Sequence, residues 1–250
     1  MSIENIYDNP TFFEGYLKIR SNPYSGNDVC EIPTFFDMLP SLDGKRILDL
    51  GCGYGENLTK FKEMGACEII GLDISEKMLS MAKEHISGSS NIKLIKCSME
   101  CLSEIKSNLG IFDVVVSSLA MHYIQNYSQL INTIYSLLIP NGILLFSQEH
   151  PIFTSCTINP HWLKNDKDTV EGLVVSDYPN EGIRHTNWIV DNVIKYHRTF
   201  STLINDLIIN NFKIVEVREP IVENCIIEKD RALSRCRHIP DYLFIKAEKQ

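Results

Sequence analysis

The sequence contains no apolar run that approaches the ~18 residues needed to cross a membrane. It also has no internal repeat and no low-complexity tract. Its first ten residues do not combine a basic segment with a following apolar run, so they do not resemble a secretory signal. These absences argue against a membrane-spanning protein and a repeat array, and we expect a cytoplasmic protein.

An excess of basic residues is missing as well, because 24 Lys and Arg stand against 32 Asp and Glu, for a net charge of −8. A general nucleic-acid or anionic-membrane partner requires a basic face, so we expect neither. The eight cysteines include no CxxC pair, and several lie in apolar segments. This favours small buried thiols over a disulfide framework or a zinc site. We therefore expect no metal and a small-molecule partner.

What the sequence does contain, from residue 46 onward, is an alternation of short apolar runs with amphipathic stretches. This pattern is typical of a parallel sheet covered by helices, and 250 residues suit one such domain. The predicted strands are Arg46–Leu50, Glu68–Leu72, Ile92–Lys96, Phe112–Val116, Ile143–Ser147, Asn192–Arg198, Phe212–Glu219 and Tyr242–Lys249. The predicted helices are Glu56–Met64, Ser75–His85, Met99–Asn108, Tyr127–Leu138 and Thr199–Asn210. The fold class is therefore a Rossmann-like, doubly wound α/β domain.

The alternation breaks over residues 151–191, which we interpret as an inserted cap. This segment has loosely spaced Pro and Gly, many polar residues and both tryptophans, Trp162 and Trp188. Long irregular segments are usually functional or disordered, and the aromatic content here favours an ordered cover. We accordingly divide the chain into N-terminal helices (1–45), a binding core (46–150), the cap (151–191) and the C-terminal part of the same α/β domain (192–250).

The strongest local signal is the run RILDLGCGYGE, in which an apolar strand enters a turn with Gly51, Gly53 and Gly55 and then a helix. Glycines let the backbone turn tightly and approach a ligand closely. A dinucleotide-binding turn is spaced GxGxxG, and its third glycine would fall on Glu56. A carboxylate in the first turn of the helix would repel a pyrophosphate. The motif therefore favours a cofactor without phosphates over NAD(P).

A second signal is Asp73, which ends the second predicted strand 22 residues after Gly51. A carboxylate at that position suits a bidentate hydrogen bond to ribose hydroxyls. The alternative is that Asp73 only caps the helix that begins near Ser75. Because Asp73 follows the glycine turn, the ribose role is favoured.

The segments ILDLGCGYGENL, GLDISEKML and FDVVVSSLAMHYI, in this order and spacing, resemble the successive motifs of class I S-adenosylmethionine-dependent methyltransferases. The similarity is greatest to the small-molecule branch that includes ubiquinone- and menaquinone-type enzymes and uncharacterised bacterial members, and it covers roughly residues 45 to 150. It implies a seven-stranded sheet of order 3-2-1-4-5-7-6 with an antiparallel last strand. It also implies that residues 1–45 cover the site of the cofactor, S-adenosylmethionine, and that the cap covers the acceptor.

The resemblance assigns cofactor contacts by position. The implied set is Tyr16, Arg20, Gly51, Gly53, Gly55, Asp73, Ile74, Met78, Ser98, Met99, Glu100, Ser117, Ser118 and Leu119. Tyr16 and Arg20 would hold the carboxylate of the cofactor, although a surface position for Arg20 is an equal alternative. Family members often have an acid that accepts from the adenine amino group, and Ser98 or Glu100 would take that role here.

Three histidines are candidates for the acceptor site because they follow strands or lie on one: His122, His150 and His197. Each also has a structural alternative: a backbone hydrogen bond for His122, a loop turn for His150 and an exposed strand position for His197. If His122 is a general base, activity should rise as the pH passes through the histidine range.

The predicted function is methyl transfer from S-adenosylmethionine to oxygen or nitrogen of a small metabolite. An NAD(P)-dependent oxidoreductase and a non-catalytic module that binds S-adenosylmethionine are the alternatives. Neither the acceptor nor the oligomeric state can be read from the sequence.

Overall fold

The computed structural model describes residues 5–157 and 161–250. The strands are β1 Arg46–Leu50, β2 Glu68–Asp73, β3 Ile92–Lys96, β4 Phe112–Ser117, β5 Leu138–Glu149, β6 His161–Lys164, β7 Val170–Val174, β8 Gly182–Trp188, β9 Val190–His197, β10 Phe212–Arg218 and β11 Tyr242–Lys249. Among the described residues, seven of them form one sheet of order β3-β2-β1-β4-β5-β11-β10. Strand β11 runs antiparallel to both of its neighbours. The predicted sheet order and antiparallel last strand are therefore confirmed.

Helices cover both faces of this sheet. They are α1 Pro10–Arg20, α2 Ile32–Met38, α3 Glu56–Glu63, α4 Glu76–His85, α5 Leu102–Ile105, α6 Tyr127–Leu137, α7 Pro151–Ser155, α8 Phe200–Ile209 and α9 Asn224–Ile227. Within residues 5–157 and 161–250, no helix is both long enough and apolar enough to cross a membrane.

Side-chain alternation along the central strands separates two hydrophobic cores. Ile47 and Ile69 point to the face covered by α2, α3 and α4, whereas Leu48 and Ile70 point to the face covered by α5, α6 and α8. Successive residues of a strand point to opposite faces, so strands covered on both sides are apolar almost throughout. This burial on two faces explains why the runs around residues 46–50 and 68–73 contain so few polar positions.

The structure corrects two predicted elements. The predicted helix Met99–Asn108 is divided into a 3-10 turn over Met99–Cys101, the short α5 and a second 3-10 turn over Lys106–Asn108. The predicted strand Asn192–Arg198 corresponds to β9, which does not join the main sheet but pairs antiparallel with β8. The boundary predicted at residue 191 lies within the β8–β9 hairpin, whose second strand ends at His197. The division into segments otherwise stays a prediction.

Candidate active site

The main cavity, of about 1290 Å³, opens where the parallel strands of the sheet end. In an open α/β sheet this edge is where ligands bind, because the loops and helix N-termini there converge. The N-terminal segment and the β8–β9 hairpin form its other walls. The predicted residues that line it are Tyr16, Arg20, Gly51, Gly53, Asp73, Ile74, Met78, Ser98, Met99, Glu100, Ser118, Leu119 and His122.

The glycine turn after β1 forms the floor of the cavity. Gly51 has a φ of +79°, and its N–H donates to the carbonyl of Leu72 at 2.7 Å. A β-carbon on Gly51 would lie 2.5 Å from the β-carbon of Ala120, so the turn packs closely against the loop after β4. A β-carbon on Gly53, in contrast, would meet no described atom within 4 Å. The backbone at Gly53 is therefore open to a ligand.

Asp73 joins the glycine turn to the end of β2. Its Oδ2 accepts the N–H of Gly53 and its Oδ1 accepts the N–H of Ser75, both at 2.8 Å. Burial raises the pKa of Asp73, while these backbone donors oppose the shift. Ser75, rather than Asp73, caps α4 by accepting the N–H of Met78. Each carboxylate oxygen can accept a further hydrogen bond, so this geometry suits a pair of ribose hydroxyls.

Arg20, at the end of α1, is almost buried and reaches the start of α3. Its Nε donates to the hydroxyl of Tyr54 at 3.0 Å, and its Nη2 donates to Oε2 of Glu56 at 2.8 Å. The Nη1 atom is buried and has no hydrogen-bond partner among the described residues. A buried guanidinium nitrogen without an acceptor is costly, so it fits the carboxylate of a bound cofactor.

Glu56 keeps its negative charge in this arrangement. Burial opposes its ionisation, but hydrogen bonds from Tyr54, Lys60 and Arg20 lower its pKa to about 2. A fixed carboxylate therefore lies in the first turn of α3, where a dinucleotide cofactor would place its pyrophosphate. The structure thus supports a cofactor without phosphates.

The residues implied for adenine recognition also line this cavity. Ser98 caps the 3-10 turn because its Oγ accepts the N–H of Glu100 at 3.2 Å. Glu100 in turn accepts the N–H of Gln125 through Oε1. Both side chains line the cavity beside Ile74 and Met78, so either can still contact an adenine ring.

Four predicted residues do not line the cavity: Gly55, Ser117, His150 and His197. The Cα of Gly55 faces α4, where an added β-carbon would lie 3.1 Å from that of Ala82. The Ser117 hydroxyl donates to the carbonyl of Leu50 at 2.8 Å and so links β4 to β1.

Two of the three candidate histidines have structural contacts instead. His150 caps α7, with Nδ1 accepting the N–H of Ile152 at 3.2 Å, and its Nε2 lies 2.7 Å from Glu219. His197 is fully buried, with ring nitrogens 2.8 Å from Thr154 Oγ1 and from the carbonyl of Tyr178. The exposed strand position considered for His197 is therefore wrong, because β9 packs this side chain inward.

His122 lines the cavity but is only 3% exposed. Burial lowers the pKa of its imidazole to about 4, and the positive charge of Lys195 contributes. Its Nδ1 accepts the N–H of Glu149 at 3.5 Å, so the proton of the neutral ring lies on Nε2. The lowered pKa argues against titration of this ring in the ordinary histidine range, and the general-base role of His122 stays a prediction.

An ion pair that no sequence signal indicated lies beside His122. Glu149, at the end of β5, and Lys195, on β9, approach to 2.5 Å between Oε1 and Nζ. Burial tends to raise the pKa of Glu149, but Lys195 and His122 outweigh it and lower that pKa. Lys195 Nζ also lies 5.1 Å from the ring centroid of Trp188. The β8–β9 hairpin places Lys195 beside Glu149, and no local sequence motif indicates this contact.

Aromatic and acidic residues of the N-terminal segment complete the walls. The hydroxyls of Tyr7 and Tyr123 lie 3.3 Å apart, and burial raises the pKa of both. Glu31 is buried, and its Oε1 accepts hydrogen bonds from Ser118 at 2.8 Å and from Ser147 at 2.6 Å. A lone acid within the apolar run around residues 29–36 is the one sequence signal that could have identified Glu31.

Comparison with known proteins gives the family. The family described as "Methyltransferase domain" matches residues 41–192 of this chain. An uncharacterised protein of Haemophilus influenzae is 41% identical over 249 residues, which cover 98% of this chain and 97% of that protein. The crystal structure of an S-adenosylmethionine-dependent methyltransferase from Mesorhizobium loti has a TM-score of 0.77 at 33% identity, covering 88% of this chain and 97% of that one.

A more distant relative is a ubiquinone biosynthesis O-methyltransferase of Neisseria meningitidis serogroup C. It is 28% identical over 146 residues, 58% of this chain and 55% of the relative's own length. The chain thus matches about half of that enzyme. The glycine turn by itself left S-adenosylmethionine and NAD(P) as possible cofactors. The family match favours S-adenosylmethionine. This chain belongs to the class I S-adenosylmethionine-dependent methyltransferases.

Proposed function

We propose that this enzyme transfers a methyl group from S-adenosylmethionine to an oxygen or nitrogen atom of a small-molecule acceptor. The observation that carries the proposal is the combination, in one cavity, of the glycine turn and Asp73 with the buried cluster of His122, Glu149 and Lys195. The first group is suited to the cofactor, and the second to an acceptor that carries an exchangeable proton.

The residues present fit the cofactor. Gly53 offers open backbone, Asp73 offers two carboxylate oxygens for hydroxyls, and Arg20 Nη1 is a buried donor without a partner among the described residues. When bound, S-adenosylmethionine supplies an electrophilic methyl group on a sulfonium, so the protein has mainly to align the acceptor and to exclude water.

Glu149 is the residue best placed to receive the proton that the acceptor loses. Its Oε1 is held by Lys195, while its Oε2 forms no hydrogen bond with the described residues and can accept one from a hydroxyl or an amine. His122 carries its proton on Nε2 and is suited to donate a hydrogen bond to the acceptor rather than to remove its proton. We therefore assign the base role to Glu149 and an orienting role to His122.

The acceptor is proposed to be a small molecule because residues of the hairpin and of the N-terminal segment line a concave cavity at its site. The net charge of −8 also disfavours a nucleic-acid substrate. The ubiquinone enzyme named above acts on oxygen, which agrees with a hydroxyl acceptor.

The proposal can be tested with methyl-labelled S-adenosylmethionine and a cell extract separated into small molecules, nucleic acids and proteins. We expect label in the small-molecule fraction with the native protein and much less with Asp73→Ala at the same concentration of labelled cofactor. Label found only in the nucleic-acid or protein fraction would contradict a small-molecule acceptor.

A further inference from the structure

The inner face of the β8–β9 hairpin carries two buried cations side by side. Arg184 on β8 pairs directly with Lys195 on β9 in the antiparallel register. Directly opposed residues of two antiparallel strands share one face, and like charges there are destabilising. The two side chains are nevertheless only 5% and 4% exposed, and both line the main cavity.

Only one of these cations has a carboxylate partner among the described residues. Lys195 pairs with Glu149, as described above. The guanidinium of Arg184 donates only to backbone carbonyls: Nε to Ser155 at 3.0 Å, Nη1 to Ile183 at 3.1 Å and Nη2 to Asn180 at 2.5 Å. No Asp or Glu of residues 5–157 and 161–250 forms an ion pair with it.

Arg184 therefore carries a positive charge that is costly to bury, and some N–H groups of its guanidinium form no hydrogen bond with the described residues. A guanidinium has five N–H groups, and these contacts use three of them, which leaves one on each Nη atom. Burying a cation without a counter-charge is unfavourable unless a ligand supplies the charge. The three backbone contacts hold the side chain in one orientation, as a rigid two-pronged donor requires.

We propose that Arg184, assisted by Lys195, binds an anionic group of the methyl acceptor, either a carboxylate or a phosphate. This inference rests on the proposed function, because it concerns the acceptor end of the same cavity. The contact with Ser155 places the anion site near the end of α7. The enzyme would then select anionic acceptors over neutral ones of the same shape.

The test uses three probes of similar shape: benzoate, phenyl phosphate and the neutral benzamide. Their binding is followed at low salt by the fluorescence of Trp188, which contacts Lys195, in a Trp162→Phe background. We expect at least one of the two anions to bind about tenfold or more tightly than benzamide, which corresponds to about 1.4 kcal/mol. The preferred anion distinguishes a carboxylate from a phosphate.

Two variants separate charge from structure. Arg184→Gln should remove the preference for anions, whereas Arg184→Lys, which keeps the charge without the two-pronged geometry, should keep part of it. If Arg184→Gln does not fold, the proposal is judged on the preference for anions that the native protein and Arg184→Lys show. Equal binding of all three probes, or binding of none, would overturn the proposal, as would a preference retained in a folded Arg184→Gln. This binding test measures no turnover. A failure of methyl transfer or of S-adenosylhomocysteine binding would therefore contradict the proposed function and not the anion site.

Discussion

A β-carbon on Gly15 would lie 2.4 Å from Cγ2 of Ile189, so α1 and the tip of the β8–β9 hairpin touch only because residue 15 has no side chain. Ile189 has a φ of +62°, which is strained for a β-branched residue. Next to it, Trp188 packs edge-on against Phe12 and Tyr16, with ring centroids 5.3 and 6.3 Å apart. Gly15, Tyr16, Arg20 and Trp188 all line the main cavity, so this contact forms part of its wall.

We expect Gly15→Ala to separate α1 from the hairpin tip and to weaken S-adenosylhomocysteine binding by about tenfold or more. Alanine in a helix is otherwise favoured over glycine by about 0.5–1 kcal/mol, so helix propensity cannot explain a loss. The double variant Gly15→Ala/Ile189→Gly should recover most of the affinity, because it removes the clashing methyl group. Gly172→Ala is the matched control, since its β-carbon would make only an ordinary 3.8 Å contact. Native-like affinity of Gly15→Ala by calorimetry would refute the close contact.

Asp73→Ala should remove two charge-assisted hydrogen bonds to the cofactor, each worth ~1.5–3 kcal/mol. Calorimetry should show S-adenosylhomocysteine affinity reduced at least ~30-fold. Asp113→Ala is the control, because that carboxylate also accepts a backbone N–H, from Arg46, but lies at the start of β4. Unchanged affinity in Asp73→Ala would rule out the ribose assignment.

Arg20→Gln should distinguish the amino-acid part of the cofactor from its nucleoside part. We expect S-adenosylhomocysteine affinity to fall by about tenfold or more, since a charge-assisted hydrogen bond is lost. Binding of 5′-methylthioadenosine, which has no carboxylate, should change less than about twofold. Arg218→Gln is the control, because Arg218 pairs with Asp37 and Glu216 away from the cavity. Equal losses for both ligands would mean that Arg20 only supports the fold.

Glu149→Gln should lower turnover by about 10²-fold if this carboxylate removes the acceptor proton, with cofactor affinity nearly unchanged. Glu219→Gln, which alters the half-exposed partner of His150, serves as the control. Single-turnover rates separate this chemical step from product release. Near-native turnover in Glu149→Gln would exclude it as the base.

His122→Asn keeps an N–H donor but cannot titrate, so we expect it to retain most of the activity. Because the pKa of His122 is about 4, the ratio of native to variant activity should stay constant between about pH 5.5 and 8. A ratio that rises with a midpoint near ~6.5 would show instead that the imidazole titrates as a base in the ordinary range.

Asp49 should make the stability of the protein depend on pH. It is 2% exposed, its Oδ2 has no hydrogen-bond partner among the described residues, and burial raises its pKa to about 8. The folded state thus retains a proton that the unfolded chain releases near pH ~3.9. The stabilising contribution is complete below that pH and is lost as the pH rises through about 8. Urea unfolding should show the free energy of unfolding falling by several kcal/mol across this window relative to Asp49→Asn, and parallel curves would contradict the shift.

The sheet and the cofactor end of the site could be predicted from local sequence signals. Runs such as Ile47–Leu50 are apolar because parallel strands are buried on both faces, and Gly51, Gly53 and Asp73 lie at strand ends that must meet at one edge. Each of these signals is local: a few consecutive residues define a strand, a turn or a cap. The motif resemblance added the strand order, which composition alone does not specify.

The acceptor end of the site depends on contacts between residues that are distant in the chain and could not be predicted in this way. Glu149 and Lys195 are 46 residues apart in the chain, and Arg184 meets Ser155 across 29 residues. The spacing of these residues in the sequence indicates neither contact, because both contacts depend on where the hairpin folds back over the sheet. The same folding turned His197 inward and lowered the pKa of His122, since burial and neighbouring charge are properties of the packed molecule and not of the residue.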